Sequence, residues 1–391
     1  MRFRTSLSLF TAVCLMLLRP PPLLADASFN GLGDLPGGGF ESYASAISLD
    51  GTTVVGQGLS ANGYEAFRWT ATGGIQGLGD LTGGDFYSSA YAVSANGAVV
   101  VGEGQSSNGQ EAFRWTASSG AMTGLGDLPG DIFASFATAV NANGSVVAGG
   151  AWPANGATQA FRWTSAGGMS GLTPASGTFM EGTAYGMSSD GAVIVGDQGN
   201  PDTGSAFRWT AASGMVALPT PRNSSGTLAS YSSARAVSAD GLLIAGQAVF
   251  RKTSFPTSET QEAILWNAGT FTRLGDLSGG TISAGANDVS AIGSTVVGFS
   301  STDNGYEAFI WDPTNGMRRL QDVLETQYQL DVSGWTLISA EGISGDGMTI
   351  VGWGIDPLGN TQAWIATLPE PAGIAALSCV CGAAILRRRR A

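Results

Sequence analysis

The stretch Glu111-Ala112-Phe113-Arg114-Trp115-Thr116 decides the fold of this chain, because versions of it recur along the whole sequence. Close copies lie at 65–70, 159–164 and 205–210, and looser copies lie at 262–266, 307–311 and 362–366. Aromatic and β-branched residues alternate in them with smaller or polar ones, which is the period of a β-strand. We expect the recurring tryptophan to anchor a hydrophobic core.

Each copy belongs to a longer unit whose other parts also recur. An Asp-Gly or Asn-Gly pair precedes it, at 50–51, 96–97, 143–144, 190–191, 240–241 and 346–347, with Ile292-Gly293 in the sixth unit. Both residues of such a pair accept positive φ, so the pairs predict tight hairpin turns. After the tryptophan strand comes a second turn and then Leu-Gly-Asp-Leu, at 32–35, 78–81, 125–128 and 274–277. The unit therefore predicts four short strands, with Leu-Gly-Asp-Leu as the fourth.

The spacing of the units predicts a β-propeller. The glycine that closes the second strand recurs at Gly56, Gly102, Gly149, Gly196, Gly246, Gly298 and Gly352. These intervals of about 46 to 54 residues are close to the period of propeller blades. The first Leu-Gly-Asp-Leu lacks a preceding tryptophan strand, so we expect the N-terminal strand to complete the final blade. The prediction is an all-β, seven-bladed propeller of four-stranded blades, closed by an N-terminal strand; a β-sandwich or β-solenoid is the alternative.

The composition argues against several classes of function. The chain has 391 residues, 30 of them acidic and 18 basic, a formal net charge of −12 and no histidine. Without histidine, Ser-His-Asp catalysis, Cys-His catalysis and His-ligated metal sites are excluded. Cys14, Cys379 and Cys381 lie in the terminal segments, so the body has no disulfide framework. The few basic residues of the body argue against nucleic acid as a partner, and neither a cofactor nor a metal is predicted.

The two ends of the chain predict targeting signals. Arginines, an apolar run at 7–18 and Ala25-Asp26-Ala27 predict a secretory signal peptide at 1–27. The C-terminal segment, 367–391, contains an apolar stretch at 372–386 between Pro369-Glu370-Pro371 and four arginines, Arg387, Arg388, Arg389 and Arg390. As a helix, this stretch reaches about 22 Å, short of the roughly 30 Å hydrocarbon core. It is therefore a marginal transmembrane segment, with its arginines on the cytoplasmic side.

Two parts of the chain resemble known families. The unit Ala-Val-Ser-Ala-Asp/Asn-Gly, Val-Val-Gly, Glu-Ala-Phe-Arg-Trp, Leu-Gly-Asp-Leu, over 28–366, resembles the HAF repeat of bacterial surface proteins. That family implies no catalytic residues. Pro369, Glu370, Pro371 and the four terminal arginines resemble a PEP-CTERM sorting signal, which implies an exosortase-type processing enzyme as a partner. The expected route is secretion across the inner membrane of a Gram-negative-type bacterium, with the protein transiently anchored in the membrane. Its expected final location is the cell surface or the extracellular matrix.

Candidate binding residues lie on the rim with the longer, irregular loops, where the chain leaves the second strand of each unit. Binding residues concentrate on variable loops held by a rigid scaffold. Flat aromatic side chains can cover the apolar faces of sugar rings. The candidates are six aromatic residues: Trp152, Trp353, Phe250, Phe255, Tyr64 and Tyr306. Packing against neighbouring blades is the alternative for each of them.

The sequence favours a non-enzymatic surface protein that binds extracellular polysaccharide or a matrix protein. No carboxylate pair is singled out as catalytic, since Glu65, Glu111, Glu262 and Glu307 repeat as structural positions would. A propeller glycosidase or lyase acting on extracellular polysaccharide is the alternative, and a purely structural protein is the third class. An enzyme should show clustered carboxylates at a mouth of the channel, a binder should show exposed aromatic residues on the irregular rim, and a spacer neither.

Overall fold

The computed structural model describes residues 27–130, 132–153, 157–174, 181–199, 202–251 and 259–369. The repeats lie within a single unit, Ala27–Leu368. The predicted signal peptide and sorting signal lie outside the described residues, apart from Ala27 and 367–369, and both stay predictions. Within the described ranges, no helix has the length and apolar character needed to cross a membrane.

The strands follow one another as short antiparallel hairpins. A first strand, β1 (Ser28–Gly31), precedes β2 (Gly37–Ile47), β3 (Thr53–Ser60), β4 (Gly63–Thr70), β5 (Gly74–Gly77), β6 (Gly83–Val93), β7 (Val99–Ser106), β8 (Gly109–Thr116) and β9 (Ala121–Gly124). The middle of the chain contains β10 (Ser135–Val140), β11 (Val146–Ala151), β12 (Gln159–Thr164), β13 (Gly168–Gly171), β14 (Gly182–Met187), β15 (Ile194–Gln198), β16 (Ser205–Thr210) and β17 (Gly214–Ala217). The last part contains β18 (Tyr231–Val237), β19 (Leu243–Arg251), β20 (Glu259–Asn267), β21 (Thr270–Arg273), β22 (Ala284–Val289), β23 (Val296–Thr302), β24 (Gly305–Asp312), β25 (Gly316–Arg319), the helix α1 (Leu320–Thr326), β26 (Thr336–Ile343), β27 (Thr349–Ile355) and β28 (Thr361–Thr367).

These strands form a propeller that its N-terminal strand closes, as predicted. Five sheets have four strands each, and an eight-stranded sheet joins the first and last units through one parallel bridge between Glu41 and Thr361. Strand β1 pairs antiparallel with β28 and supplies the fourth strand of the last unit. Each innermost strand (β2, β6, β10, β14, β18, β22 and β26) lies against the next, and β26 lies against β2. The described strands thus form a closed ring of four-stranded units.

A belt of backbone hydrogen bonds joins the units at one end of the central channel. In each unit the turn after the innermost strand donates an N–H to a carbonyl of the next turn, at 2.9 to 3.2 Å. The belt runs through Asp50, Ala95, Ala142, Ser189, Ala239, Ala291 and Gly345, and returns to Leu49. At about 4.8 Å per step, the spacing of hydrogen-bonded strands, such a belt is about 11 Å across between Cα atoms. The belt closes the ring independently of β1 and narrows this end of the channel.

The phenylalanine of the recurring stretch, rather than its tryptophan, is the main core residue. Phe67, Phe113, Phe161, Phe207 and Phe309 are fully buried. Four of the tryptophans, Trp69, Trp163, Trp209 and Trp311, are only half-buried. The two aromatic residues are two positions apart and so face the same side of the strand. The tryptophan lies nearer the strand end, where the neighbouring sheet covers it less.

The Asp-Gly turns differ from the prediction, because only their glycine has a positive φ. Gly51 has a φ of +74°, and Asp50 is not among the residues with positive φ. Its carboxylate instead accepts hydrogen bonds from the Thr52 N–H at 3.0 Å and the Ser48 hydroxyl at 2.6 Å. The Ser48 oxygen in turn accepts the Thr53 N–H at 3.0 Å. The recurring Ser-x-Asp-Gly is therefore a longer turn that side chains stabilise.

The Leu-Gly-Asp-Leu segment is a loop and not the fourth strand. In the first complete unit the fourth strand, β5, ends at Gly77, before the segment begins. The segment's glycine, Gly79, has a φ of +80°, which an extended strand does not have. Its last residue, Leu81, is buried between units. The segment thus turns the chain at the irregular rim and fills the gap between neighbouring sheets.

Candidate active site

A β-bulge in every innermost strand directs one side chain into the central channel. The register between the first and second strand of each unit shifts by one residue at this point. The bulged residues are Ser45, Tyr91, Thr138, Tyr185, Arg235, Asn287 and Glu341, and all of them line one cavity. Their neighbours in the strand are mostly alanine or glycine. The chemistry of the channel therefore varies chiefly at one position per unit.

The recurring glycine lies inside the second strand of each unit, and not at its end as predicted, and it makes this bulge possible. A Cβ atom at Gly102 would lie 1.9 Å from the carbonyl oxygen of Ser89, which stands two residues before the bulged Tyr91. The corresponding distance is 1.9 to 2.0 Å at Gly56, Gly149, Gly196, Gly246, Gly298 and Gly352. No side chain fits at such a distance. The glycine repeat that predicts the propeller thus also fixes the direction of the channel residues.

The cavity in the channel has a volume of about 640 Å³. Toward the irregular rim its wall includes Phe136, Trp152, Glu103 and Gln110. At the other end it is lined by the small side chains of the belt, such as Ala95 and those of equivalent turns. The cavity is therefore wide at the irregular rim and narrow at the belt.

Asp288 brings a carboxyl group into this cavity at a position where the other units have alanine or glycine. Its two oxygens accept the backbone N–H groups of Val289, at 2.8 Å, and of Ile343 in the next unit, at 2.9 Å. Burial raises the pKa of Asp288 to about 7, and these two hydrogen bonds oppose the rise only in part. Asp288 can therefore hold a proton near neutral pH.

Glu341, from the neighbouring unit, faces the same cavity in different surroundings. Its Oε1 accepts the indole N–H of Trp353 and its Oε2 accepts the Asn287 amide N–H, both at 3.2 Å. Burial raises the pKa of Glu341, while hydrogen bonds from Ser339 and Trp353 and the positive charge of Arg235 act against the rise. Two carboxyl groups in unlike surroundings are how active sites obtain one acid and one base.

Tyrosines hold two further carboxylates close to the cavity. Glu103 accepts the hydroxyl of Tyr91 at 2.8 Å, and Asp197 accepts the hydroxyl of Tyr231. Burial, and then the neighbouring carboxylate, raise the pKa of Tyr91, of Tyr231 and of Tyr185 beside Asp197. These phenols therefore remain protonated hydrogen-bond donors at neutral pH.

Two of the six predicted binding residues belong to this site. Trp152 lines the cavity and packs against Phe136, with ring centroids 5.2 Å apart. Trp353 packs edge-on against Tyr43, with centroids 5.3 Å apart, and its indole N–H holds Glu341. Trp152 can therefore contact a ligand directly, whereas Trp353 positions a carboxylate.

The other predicted binding residues lie elsewhere. Phe250 belongs to strand β19 and not to a loop, and it is 2% exposed in the core, so its side chain is not available to a ligand. Tyr64 and Tyr306 are exposed on the irregular rim outside the cavity. The Tyr64 hydroxyl donates to Glu41 at 3.2 Å, and Tyr306 packs edge-on against Phe299. Phe255 lies outside the described residues.

The bulged channel residues were missed at the sequence level, although the sequence contains a signal for them. In Ala44-Ser45-Ala46, Ala90-Tyr91-Ala92 and Ala137-Thr138-Ala139, one variable residue stands between two alanines. Small residues on both sides of a varying polar or aromatic residue indicate a tightly packed backbone, in which only the central side chain has room to extend. Read across the units, this position predicts the channel lining.

Comparisons with known proteins find similar structures but no related sequence. No family model and no curated protein matches the chain. An oligogalacturonate lyase in complex with manganese superposes with a TM-score of 0.55 at 12% identity, over 88% of this chain and 97% of that protein. An oligogalacturonate lyase from Vibrio parahaemolyticus gives 0.51 at 9% identity, over 89% and 98%. The β-propeller domain of the trilobed protease from Pyrococcus furiosus gives 0.49 at 9% identity, over 83% and 95%. At these identities the likeness shows the propeller fold.

The manganese of the first lyase has no counterpart that the residues of this chain fit. The sequence has no histidine. In the part of the chain that the structure describes, no three His, Cys, Asp or Glu side chains group closely enough to hold a metal ion.

Proposed function

We propose that this protein is an enzyme that cleaves glycosidic bonds of an extracellular polysaccharide, and that the reaction takes place in the central channel. The observation that carries this proposal is the pair Asp288 and Glu341. Both carboxyl groups face one cavity lined with aromatic residues, and burial raises the pKa of Asp288 to about 7. The extracellular location rests on the predicted signal peptide at 1–27.

The prediction of a non-enzymatic propeller that binds polysaccharide or protein is wrong in the light of two findings. Two similar structures with TM-scores above 0.5 are lyases by their titles, and the alignments cover nearly their whole length. In addition, three carboxylate residues, Glu103, Asp288 and Glu341, line the cavity of the channel, which supports an enzyme. Both findings favour the carbohydrate-active alternative.

Hydrolysis assigns one role to each carboxyl group. One group must give a proton to the leaving glycosidic oxygen, and the other must activate water or attack the sugar. Asp288 suits the acid, because burial keeps it protonated up to about neutral pH. Glu341 suits the base, because Trp353 and Asn287 donate hydrogen bonds that favour its ionised form. When Glu341 acts as the base, the proton of Asp288 goes to the leaving glycosidic oxygen. Glu341 takes a proton from water, and the water oxygen bonds to the anomeric carbon.

The wall of the cavity suits a saccharide. Trp152, Phe136 and Tyr185 offer flat faces for sugar rings, and Gln110 and Thr138 offer hydrogen-bonding groups beside them. The belt narrows the far end, so a chain would enter from the irregular rim. The geometry therefore favours binding of a polysaccharide by its end.

Elimination is the second candidate reaction, and the pair Arg235 and Tyr185 favours it. In elimination a base removes the proton next to a substrate carboxylate, a double bond forms, and the glycosidic oxygen leaves with a proton. A cation that neutralises the carboxylate assists the first step. Arg235 supplies such a cation, with its guanidinium carbon 4.5 Å from the centre of the Tyr185 ring.

Product analysis tests the proposal and separates the two reactions. The purified full-length protein is incubated with neutral and acidic bacterial polysaccharides, and fragments are identified by mass spectrometry. Hydrolysis adds one water to each cleaved bond, whereas elimination adds none and leaves an ultraviolet-absorbing double bond. Asp288→Asn and Glu341→Gln should each lower the rate roughly 10²- to 10⁴-fold.

Glu325→Gln is the matched control, because Glu325 is an exposed carboxylate on α1. This variant should keep the rate of the parent. The proposal is overturned if the parent cleaves no polysaccharide, or if Asp288→Asn and Glu341→Gln both cleave as fast as the control.

A further inference from the structure

Arg235 has a distinctive place among the bulged residues of the channel. It lies in β18, and the equivalent residues of the other units are uncharged or acidic. Among the described lining residues of the cavity it is the single Lys or Arg. Its guanidinium stacks on Tyr185, 4.5 Å from the ring centroid. This contact restricts the orientation of the guanidinium and leaves its edges free to donate hydrogen bonds.

Several other arginines of the described chain use their guanidinium groups for the fold. The ion pairs found there belong to Arg251, Arg273, Arg318 and Arg319. Arg68 and Arg114 donate to backbone carbonyl oxygens of the neighbouring unit's turn. In the same described part of the chain, Arg235 has no carboxylate within the 4.0 Å distance of an ion pair. Arg235, the cation of the channel, therefore does not form an ion pair that stabilises the fold.

The carboxylates that face Arg235 are bound by other donors. Glu341 is held by Trp353 and Asn287, at 3.2 Å each. Asp197, behind Tyr185, accepts the hydroxyl of Tyr231. Neither carboxylate forms an ion pair with Arg235. A planar guanidinium in this state matches the two oxygens of a carboxylate.

We propose that Arg235 binds the carboxylate of a uronic acid residue, so that the substrate class of the channel is a uronate-containing saccharide. This inference rests on the proposed function, because it names the substrate of the same cavity. The aromatic walls take the sugar rings and the single cation takes one acid group. Since the full chain has a formal net charge of −12, we expect one recognised carboxylate and not a densely charged substrate.

Binding measurements on a matched pair of ligands test this inference. The probes are a galacturonate trisaccharide and its methyl ester, which differ in charge but not in sugar, and a glucuronate trisaccharide is the second acid. Isothermal titration calorimetry with the full-length protein should show either acid binding roughly 10- to 100-fold more tightly than the ester. Arg235→Gln should lose this preference and keep the affinity for the ester, and Arg235→Lys should keep part of the preference.

Arg162→Gln is the matched control, since Arg162 is a half-buried arginine of the recurring stretch on β12. This variant should bind like the parent. Equal affinity of the parent for acid and ester, or an acid preference that survives in Arg235→Gln, overturns the inference. A neutral polysaccharide cleaved without acid preference leaves the proposed function standing and removes this inference alone. Binding of the acid that depends on Arg235, with no cleavage of any polysaccharide, leaves this inference standing and overturns the proposed function.

Discussion

At the scale of single residues, the channel depends on a few positions where one unit differs from the rest. Asp288 occupies a place where the corresponding residues are Ala46, Ala92 and Ala139 in the first three units. Its carboxyl group is held only by backbone N–H groups, so nothing charged offsets its burial. Such a group costs stability when it is ionised, and proteins retain this cost where it serves a reaction.

The stability of the protein should therefore depend on the ionisation of Asp288. Its pKa of about 7 in the folded state lies above the ordinary value of 3.8, so folding favours the protonated form. Its contribution to the free energy of unfolding is fully present below about pH 4 and is lost as the pH rises through about 7, a loss of up to about 4 kcal/mol. Urea denaturation across this pH range should show a smaller loss in Asp288→Asn than in the parent, because Glu341, whose pKa burial also raises, is present in both.

Asp276→Asn provides the control for this experiment, because Asp276 is exposed. It should follow the pH dependence of the parent. If Asp288→Asn also follows it, the carboxyl group of Asp288 is not buried in the folded protein as described.

Prediction from the sequence was weakest at the residue scale. Phe250 was expected where the chain leaves the second strand, but β19 continues to Arg251 and buries Phe250. The bulged residues follow from a contact between two strands, that of Gly102 with the Ser89 carbonyl. The periodicity of one strand does not contain such a contact, so only the comparison of units could have revealed it.

At the scale of elements, each unit depends on the contact between its bulged innermost strand and the glycine of its second strand. Gly102→Ala should destabilise the second complete unit, because its Cβ would lie 1.9 Å from a backbone oxygen that cannot move without the bulge. We expect a loss of about 1–3 kcal/mol, as for other overpacked sites. Urea denaturation measures the loss.

Gly39→Ala is the control for this element, since the nearest atom to its added Cβ is the Leu59 Cδ2 at 3.5 Å, an ordinary contact. Its effect should stay within about 0.5 kcal/mol. Equal stability of the two variants would mean that the bulge does not depend on the glycine.

The number of strands in a unit was easier to predict than the segments that form them. The four strands per unit follow from alternating apolar runs, but Leu-Gly-Asp-Leu reads as a strand only because its leucines alternate. The positive φ of Gly79 makes the segment a loop, and the buried Leu81 explains why leucine recurs there. Burial between sheets and burial within a strand leave the same pattern in a sequence.

At the scale of the whole molecule, the period of the glycines and the offset of the N-terminal strand were enough to predict a closed propeller. Strand β1 adds to the closure that the belt provides, and its Phe29 packs edge-on against Trp335 at 5.2 Å and beside Trp364 at 6.1 Å. The belt of backbone hydrogen bonds had no sequence signal, because small residues in turns are common for many reasons.

Phe29→Ala should lower the stability of the whole ring. The side chain is half-buried, so we expect a loss of about 2 kcal/mol, below the range for a fully buried phenylalanine. Calorimetry should show the complete unfolding transition at a lower temperature, because β1 joins the first and last units. Phe40→Ala, at an exposed phenylalanine, should leave the transition in place. An unchanged transition in Phe29→Ala would show that β1 is not needed for closure.

A crystal structure of Glu341→Gln with the galacturonate trisaccharide tests most directly whether the central channel is the substrate site. We expect sugar in the central channel, with one ring against Trp152, a carboxylate on Arg235 and a glycosidic oxygen beside Asp288. Sugar bound on the irregular rim at Tyr64 or Tyr306 with an empty channel, or no sugar bound at all, would contradict it.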